Sequence, residues 1–329
     1  MLFGPPKSYK SFMAIDWSCC IAADNSWCGN PIKNSGLVIY IAGEGFNGIG
    51  RRIYAWCQEN DLDPDELKLV VSSRPAKISD EDYVDIILEE VNAACEKHDA
   101  LPALFVIDTL ARNFGAGDEN NTSDMNTIVM HLDDIRRPYG ASMLVVHHTG
   151  RANTSRERGS SSLPGALDAS FMLTVDAQVK TVTLEPQFMK DAAIPDPMDF
   201  NIKLVTLDGM TDDEGGSVSS VVLEHLGGIS QAKKRQLFKD HPELGTGQRR
   251  NWLGKLLYAA SECGGGCSNN HLAEAANVSG STVGPVIKLL RDAGILTADN
   301  GLTAEGQAAL DILEPTHRLK RLMGQNSDG

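Results

Sequence analysis

The chain has 329 residues, 42% of them apolar, 22% charged and 6% aromatic, and carries a net charge of −14. This is the composition of a soluble globular protein long enough for one large domain and one small one, and its acidity excludes a protein that coats nucleic acid over its whole surface. No apolar run is long enough to span a bilayer and no leader pattern opens the chain, so a cytoplasmic protein without a membrane partner is expected.

The charge is uneven. Residues 1–230 hold 18 Lys and Arg against 34 Asp and Glu, whereas residues 231–329 hold 12 against 10, so nucleic-acid contact fits the C-terminal third or a local channel better than the acidic bulk. Seven cysteines scattered through a long chain predict reduced thiols rather than a disulfide framework. Cys263, Cys267 and His271 have metal-facing spacing, but they supply three ligands where a structural zinc site closes with four, and Gly264 to Gly266 already account for a loop there.

In chain order, "GPPKSYKS" (Gly4 to Ser11) comes first and nearly spells a phosphate loop. Lys10 offers an ammonium for terminal phosphates and Ser11 a hydroxyl for magnesium; "FMAIDWSCCIAA" has the spacing of a helix whose N-terminus faces the loop. The alternative is a surface turn containing Lys-Ser. Tyr9 replaces the usual glycine, and because a bulky residue at positive φ is strained, the loop is expected to enter the helix with ordinary angles. Only Met1, Leu2 and Phe3 precede the loop, which predicts a clipped first strand and suggests a start assigned too late or a fragment of a longer protein.

Apolar runs at 36–45, 67–73, 103–111 and 141–150 read as strands covered on both faces, separated by helical patterns at 46–60, 80–98 and 122–137. In "VIYIAGEG" a strand ends in Glu44, placed to polarise water, and in "LFVIDT" another ends in Asp108, placed to hold magnesium through water. Each has a plainer reading, a loop acid for Glu44 and a strand-end turn residue for Asp108. "DENNTSDMN" (118–126) reads as a helix entry capped by Thr122 or Ser123, the alternative being the role near the nucleotide or a subunit interface that the resemblance given below implies. After Gly165 the texture changes to alternating strands, with "DDEGG" as a turn, which predicts an antiparallel extension of the sheet.

Residues 227–248 form a polar linker. From 249 to 315 come three helical patterns, then "ILTADNGLTAEGQAAL" with an Asn-Gly turn, an arrangement that resembles a winged helix-turn-helix; residues 316–329 are a tail.

Taken together, "GPPKSYKSFMAIDW", "IYIAGEGFNGIGRRIYAWC", "LFVIDTLARNFGAGDENNTSDMN", "LVVHHTGR" and "RGSSSLPGALDASFML" resemble the RecA-like P-loop ATPases of the AAA class, and within them the RepA-type hexameric helicases of phage and plasmid replication. The resemblance covers residues 1 to about 225, within an expected ATPase domain of 1–226. It implies an α/β RecA-like core with a mostly parallel sheet, ATP held by Gly4, Pro5, Pro6, Lys7, Ser8, Tyr9, Lys10, Ser11 and Phe12, and Mg2+ held by Ser11 and Asp108. It also implies Glu44 as the catalytic glutamate that polarises the attacking water and His147 as the γ-phosphate sensor, with a loop or core histidine as the plainer reading of the latter. A cation reaching a neighbouring subunit's site is then Arg158 in preference to Arg151, Arg156 or Lys190, although "GRANTSRERGSSS" also reads as a solvated loop. The implied activity is an ATP-driven helicase-type motor on single-stranded DNA, a homo-hexamer working with replication proteins. A DNA-binding regulator or loader without unwinding activity is the alternative, and a scaffold that binds ATP without turnover is a third.

Overall fold

The computed structural model describes residues 1–150, 160, 162–176, 180–226 and 252–313. Arg151, Arg156 and Arg158, the linker 227–248 and the tail 316–329 lie outside the described residues. The chain divides into two compact units, the first being Met1–Asp196 with Phe200–His225.

That first unit is built on a nine-stranded sheet in the order β3-β2-β4-β5-β1-β6-β7-β8-β9. The strands are β1 (Leu2–Gly4), β2 (Leu37–Ala42), β3 (Leu69–Val71), β4 (Pro102–Asp108), β5 (Ser142–His148), β6 (Ala169–Asp176), β7 (Thr181–Met189), β8 (Met198–Thr211) and β9 (Ser217–His225). From β3 to β6 every pairing is parallel; β6 with β7 and β8 with β9 are antiparallel. The α/β class and the mostly parallel sheet with an antiparallel extension are therefore as expected. One detail differs: β6 pairs parallel with β1 on its other edge, so the extension begins one strand later than the alternating texture indicates.

The apolar runs become strands because both faces of the sheet are covered. All six residues of β2 are buried. Alternate positions divide between the two faces. Phe3, Ile39, Ile41, Phe105, Ile107 and Val145 pack in one core with residues of α3 (Glu81–His98) and α5 (Thr122–Arg136). The opposite face, which carries Tyr40, Val106 and Asp108, is covered by α1 (Lys10–Ala22), while α2 (Phe46–Glu59) packs against α1 and β9. The run 103–111 is strand only to Asp108, since Leu110–Asn113 turns into the short helix α4. At the start of α5 the cap is Asn121, whose side chain accepts from the amides of Ser123 (2.8 Å) and Asp124 (3.2 Å), in place of the expected Thr122 or Ser123. An Asn side chain one residue earlier reaches the two amides that open the helix. A single helical turn, α6, spans Ser162–Gly165.

β1 has three residues, yet it lies between β5 and β6, with Leu2, Phe3 and Gly4 in register with Val146, His147 and His148. Its side chains are buried, so neighbours compensate for its length.

In the C-terminal unit the described residues form α7 (Leu253–Cys263), α8 (Asn269–Ala276), α9 (Gly280–Asp292) and α10 (Ala304–Leu313). Leu253, Leu256, Leu257, Leu272, Val283, Ile287 and Leu290 make their shared core. The Asn-Gly turn closes a single antiparallel bridge, Leu296 with Leu302, and Asn300 takes φ 67° at the turn. Cys263 and Cys267 are joined by a disulfide, which corrects the expectation of reduced thiols throughout. The end of α7 and the glycine loop after it bring their Cα atoms to 5.8 Å, a separation normal for a disulfide.

Candidate functional site

Four parallel strands end at the same edge of the sheet, and their following loops converge there, which is where open α/β sheets place ligands. The loop after β1 leads into α1, the Gly43-Glu44-Gly45 loop leads from β2 into α2, β4 ends in Asp108 and β5 in His148. Lys7, Ser8, Tyr9, Lys10, Ser11, Phe12, Glu44, Asp108 and His148 all line one cavity of about 480 Å3, together with Gly45, Ile49, Arg52 and Thr109. That volume lies within the range of small-molecule sites.

Gly4 is held to its identity by packing. A Cβ there would stand 2.4 Å from the Leu173 carbonyl oxygen and 2.8 Å from Ser8 Oγ. Beyond it the loop winds so that the Lys10 ammonium donates to the carbonyls of Gly4 (3.1 Å) and Pro5 (2.8 Å). Burial pushes the Lys10 ammonium down to about 8, and the Asp108 carboxylate opposes the drop. An anion arriving at the mouth of α1 would meet this ammonium and the unpaired amides of the helix start.

Tyr9 does not enter the helix with ordinary angles. It is the residue before α1 and takes φ 64° and ψ 22°, and Lys7 is also left-handed at φ 65°. Winding the backbone around the lysine needs these turns even without glycine. The Tyr9 ring packs on Phe12 at 5.4 Å between centroids, and the Arg52 guanidinium lies 4.4 Å from the centre of the Phe12 ring.

On the acidic side, the buried Asp108 accepts from the Tyr40 hydroxyl at 2.5 Å. Burial and the adjacent Asp108 charge push the Tyr40 phenol well up, so it stays a donor. The Gly43 amide donates to the Asp108 carbonyl at 2.6 Å, and a Cβ on Gly43 would come 2.3 Å from Arg112 Cβ. These contacts fix the "AGEG" loop against the end of β4 and place Glu44 at the cavity rim. There Glu44 pairs with Arg112 at 3.0 Å, both side chains more than half exposed. An exposed pair of this kind contributes little to stability, so the carboxylate is readily redirected.

Of the two histidines at the end of β5, His148 lines the cavity, whereas His147, the preferred sensor, is completely buried. Period-2 alternation sends adjacent residues to opposite faces, and β5 presents the second histidine to the site. Lys190 lies beside Asp168, 3.5 Å away, with both side chains exposed. Tyr40, Arg52, Thr109 and Arg112 were missed from the sequence. Arg52 alone left a trace, three residues beyond Ile49 on the helix that follows Glu44, so that both meet the cavity from one helix face.

Residues 1–154 match a family model described as AAA domain. The match spans Gly4 to Ser11, Glu44, Asp108 and both histidines. No curated protein matches the chain. Among solved structures, that of the RadB recombinase is 14% identical, with a TM-score of 0.45 over 61% of this chain and 86% of the RadB chain. No helix among the described residues is long and apolar enough to cross a membrane.

Proposed function

We propose that residues 1–226 bind ATP with Mg2+ and hydrolyse it, and that the chain is a helicase-type motor of the RepA kind acting on single-stranded DNA as a hexameric ring. The observation that carries the hydrolase reading is the meeting of Lys10, Ser11, Glu44 and Asp108 around one cavity, from three separate strand ends. The donor set suits the ligand: an ammonium at a helix N-terminus for phosphate oxygens, and a hydroxyl with a buried carboxylate for a hard cation. Bound Mg2+ would neutralise charge developing on the transferred phosphoryl group.

The residues then divide the work. The amides of residues 7–12 and Lys10 would grip the phosphates, and Ser11 and Asp108 would hold the metal, with one Asp108 oxygen fixed by Tyr40. Glu44 turns from Arg112 towards water and takes its proton as the water attacks. His148 supplements His147 as a candidate reporter of the phosphate state because it faces the cavity. Arg158 is proposed as the cation acting on a neighbouring subunit. We also propose that residues 249–315 form a winged-helix-like domain for DNA or replication partners, with 227–248 as linker and 316–329 as tail.

The test is an ATPase assay with and without single-stranded DNA, run beside mass measurement in solution and strand separation on a forked substrate. DNA-stimulated turnover by a six-chain species that separates strands is the expected result. In Glu44→Gln, turnover should fall by about 10²–10⁴-fold while ATP binding persists. Turnover by the parent chain without a ring or strand separation would replace the motor with a regulator or loader. Absence of ATP binding would overturn the nucleotide reading itself.

A further inference from the structure

The C-terminal unit carries a second cluster of chemically active side chains, separate from the cavity above. Cys263 closes α7, Cys267 follows the Gly264-Gly265-Gly266 loop and His271 lies in the first turn of α8. The two sulfurs and a ring nitrogen of His271 all lie within 4.8 Å of one another. We propose that these three residues, with the disulfide reduced, form a binding site for a thiophilic divalent cation of the zinc class.

Several features of the local chain hold this geometry. The three glycines have φ of 63°, 111° and 76°, so the loop reverses within three residues and returns the second cysteine beneath the end of α7. A side chain at Gly265 would meet Asp299 Oδ2 at 2.7 Å, so the loop is pressed against the 297–301 turn. From that turn the buried Asn300 amide donates to the Cys267 carbonyl at 2.7 Å and to Asn269 Oδ1 at 3.1 Å. Its own oxygen accepts from Arg291 Nη2 at 2.6 Å. One side chain therefore ties the segment bearing Cys267 to the start of the helix bearing His271. Ser268 caps that helix by accepting from the His271 amide at 3.2 Å, which fixes the histidine backbone. Supporting contacts of this sort orient metal ligands in known sites.

Chemistry selects the ion. Two thiolates and an imidazole favour zinc over magnesium or calcium, which seek oxygen. Cys267 is buried and His271 exposed, so the fourth position faces solvent and takes water. A dithiol reductant delivers two electrons and two protons to the disulfide and itself becomes the oxidised, cyclic form. Zinc then displaces the two thiol protons. Disulfide and metal thus compete for the same sulfurs, and metal binding is confined to the reduced chain. The site would staple a unit whose small core gains from one.

The experiment uses the full chain, reduced by dithiol, stripped of metal and titrated with Zn2+ and separately with Co2+. One equivalent should bind, with a thiolate-to-cobalt charge-transfer band and the intense visible bands of a four-coordinate ion, and Zn2+ should raise the melting midpoint. His271→Ala, at an exposed position, should weaken affinity at least about tenfold without loss of helical circular dichroism. Cys263→Ser with Cys267→Ser should abolish the band, and Cys95→Ser should leave it intact. No stoichiometric uptake by the reduced chain, or a band indifferent to the His271 and paired cysteine variants, would overturn the proposal. ATP hydrolysis plays no part in this readout.

Discussion

α1 carries two charged side chains that it withdraws from solvent, Lys10 in its first turn and the partly buried Asp16 in its second, and their surroundings differ in kind. Asp16 accepts from the Trp27 indole at 2.7 Å and from the Trp56 indole at 2.8 Å, one donor to each oxygen. Burial pushes its carboxyl up to about 6 in spite of both donors. Lys10, pushed down to about 8, has main-chain carbonyls as its nearest partners and faces an open cavity beside Asp108. Both are displaced towards neutrality by the same cause. What separates them is their company: both Asp16 oxygens are taken by indole donors, whereas the Lys10 ammonium, held by the Gly4, Pro5 and Ser8 oxygens, shares its cavity with Ser11, Glu44 and Asp108. A shifted pKa alone does not distinguish a functional residue from a structural one; the geometry of the partners does.

That contrast can be tested most strongly at Lys10. Lys10→Ala should leave the fold intact and reduce ATP turnover by about 10²–10³-fold, on the scale of removing a preorganised charge stabiliser. Unchanged turnover, measured by phosphate release, would put Lys10 in the same structural class as Asp16. The parent's ATP affinity should also decline as pH rises above about 8, where the ammonium loses its proton.

Asp16 should instead speak through stability. Its folded pKa is raised, so the folded state holds more protons than the unfolded state between the ordinary carboxyl value of 3.8 and about 6, and stability from this group is present below that window and lost as pH rises through it. A shift of this size corresponds to about 2–3 kcal/mol. Asp16→Asn should flatten that dependence relative to the parent in urea titrations followed by tryptophan fluorescence, with ATP turnover retained. A variant that keeps the parent's pH profile would show that Asp16 is not its source.

The smallest effect is expected at Tyr9. Replacing a left-handed Tyr9 by Gly relieves about 1–2 kcal/mol of backbone strain, against which stand the lost packing on Phe12 and greater freedom in the unfolded chain. Tyr9→Gly should therefore bind ATP within about tenfold of the parent and change stability by about 1 kcal/mol or less. Abolished binding in calorimetry would make the aromatic ring an integral part of the site.

The pattern of burial explains which parts of this fold were legible. β2, β4 and β5 could be located because strands covered on both faces must be apolar along their whole length, and α2, α3 and α5 because one face of each is apolar at helical spacing. The capping residue of α5 and the end of β4 were misassigned, since neighbouring Asn, Thr and Ser compete for one cap and "TLA" suits strand or helix until the sheet ends. Lys10, Ser11, Glu44 and Asp108 were visible because each adjoins a recognisable strand-to-loop boundary. Tyr40 and Arg112 were not, because they reach Asp108 and Glu44 across a sequence separation that carries no periodic signal.

By itself, then, the sequence determined the alternation of strands and helices and the identity of the charged groups at the strand ends, because both follow from local spacing and side-chain chemistry. Tertiary structure decided the rest. Strand order brought four ends to one edge, register gave the cavity to His148 rather than His147, and packing imposed a left-handed Tyr9 in a loop whose backbone has to wrap around a lysine. These outcomes depend on which distant segments share a space, and that is settled only when the sheet closes and its faces are covered.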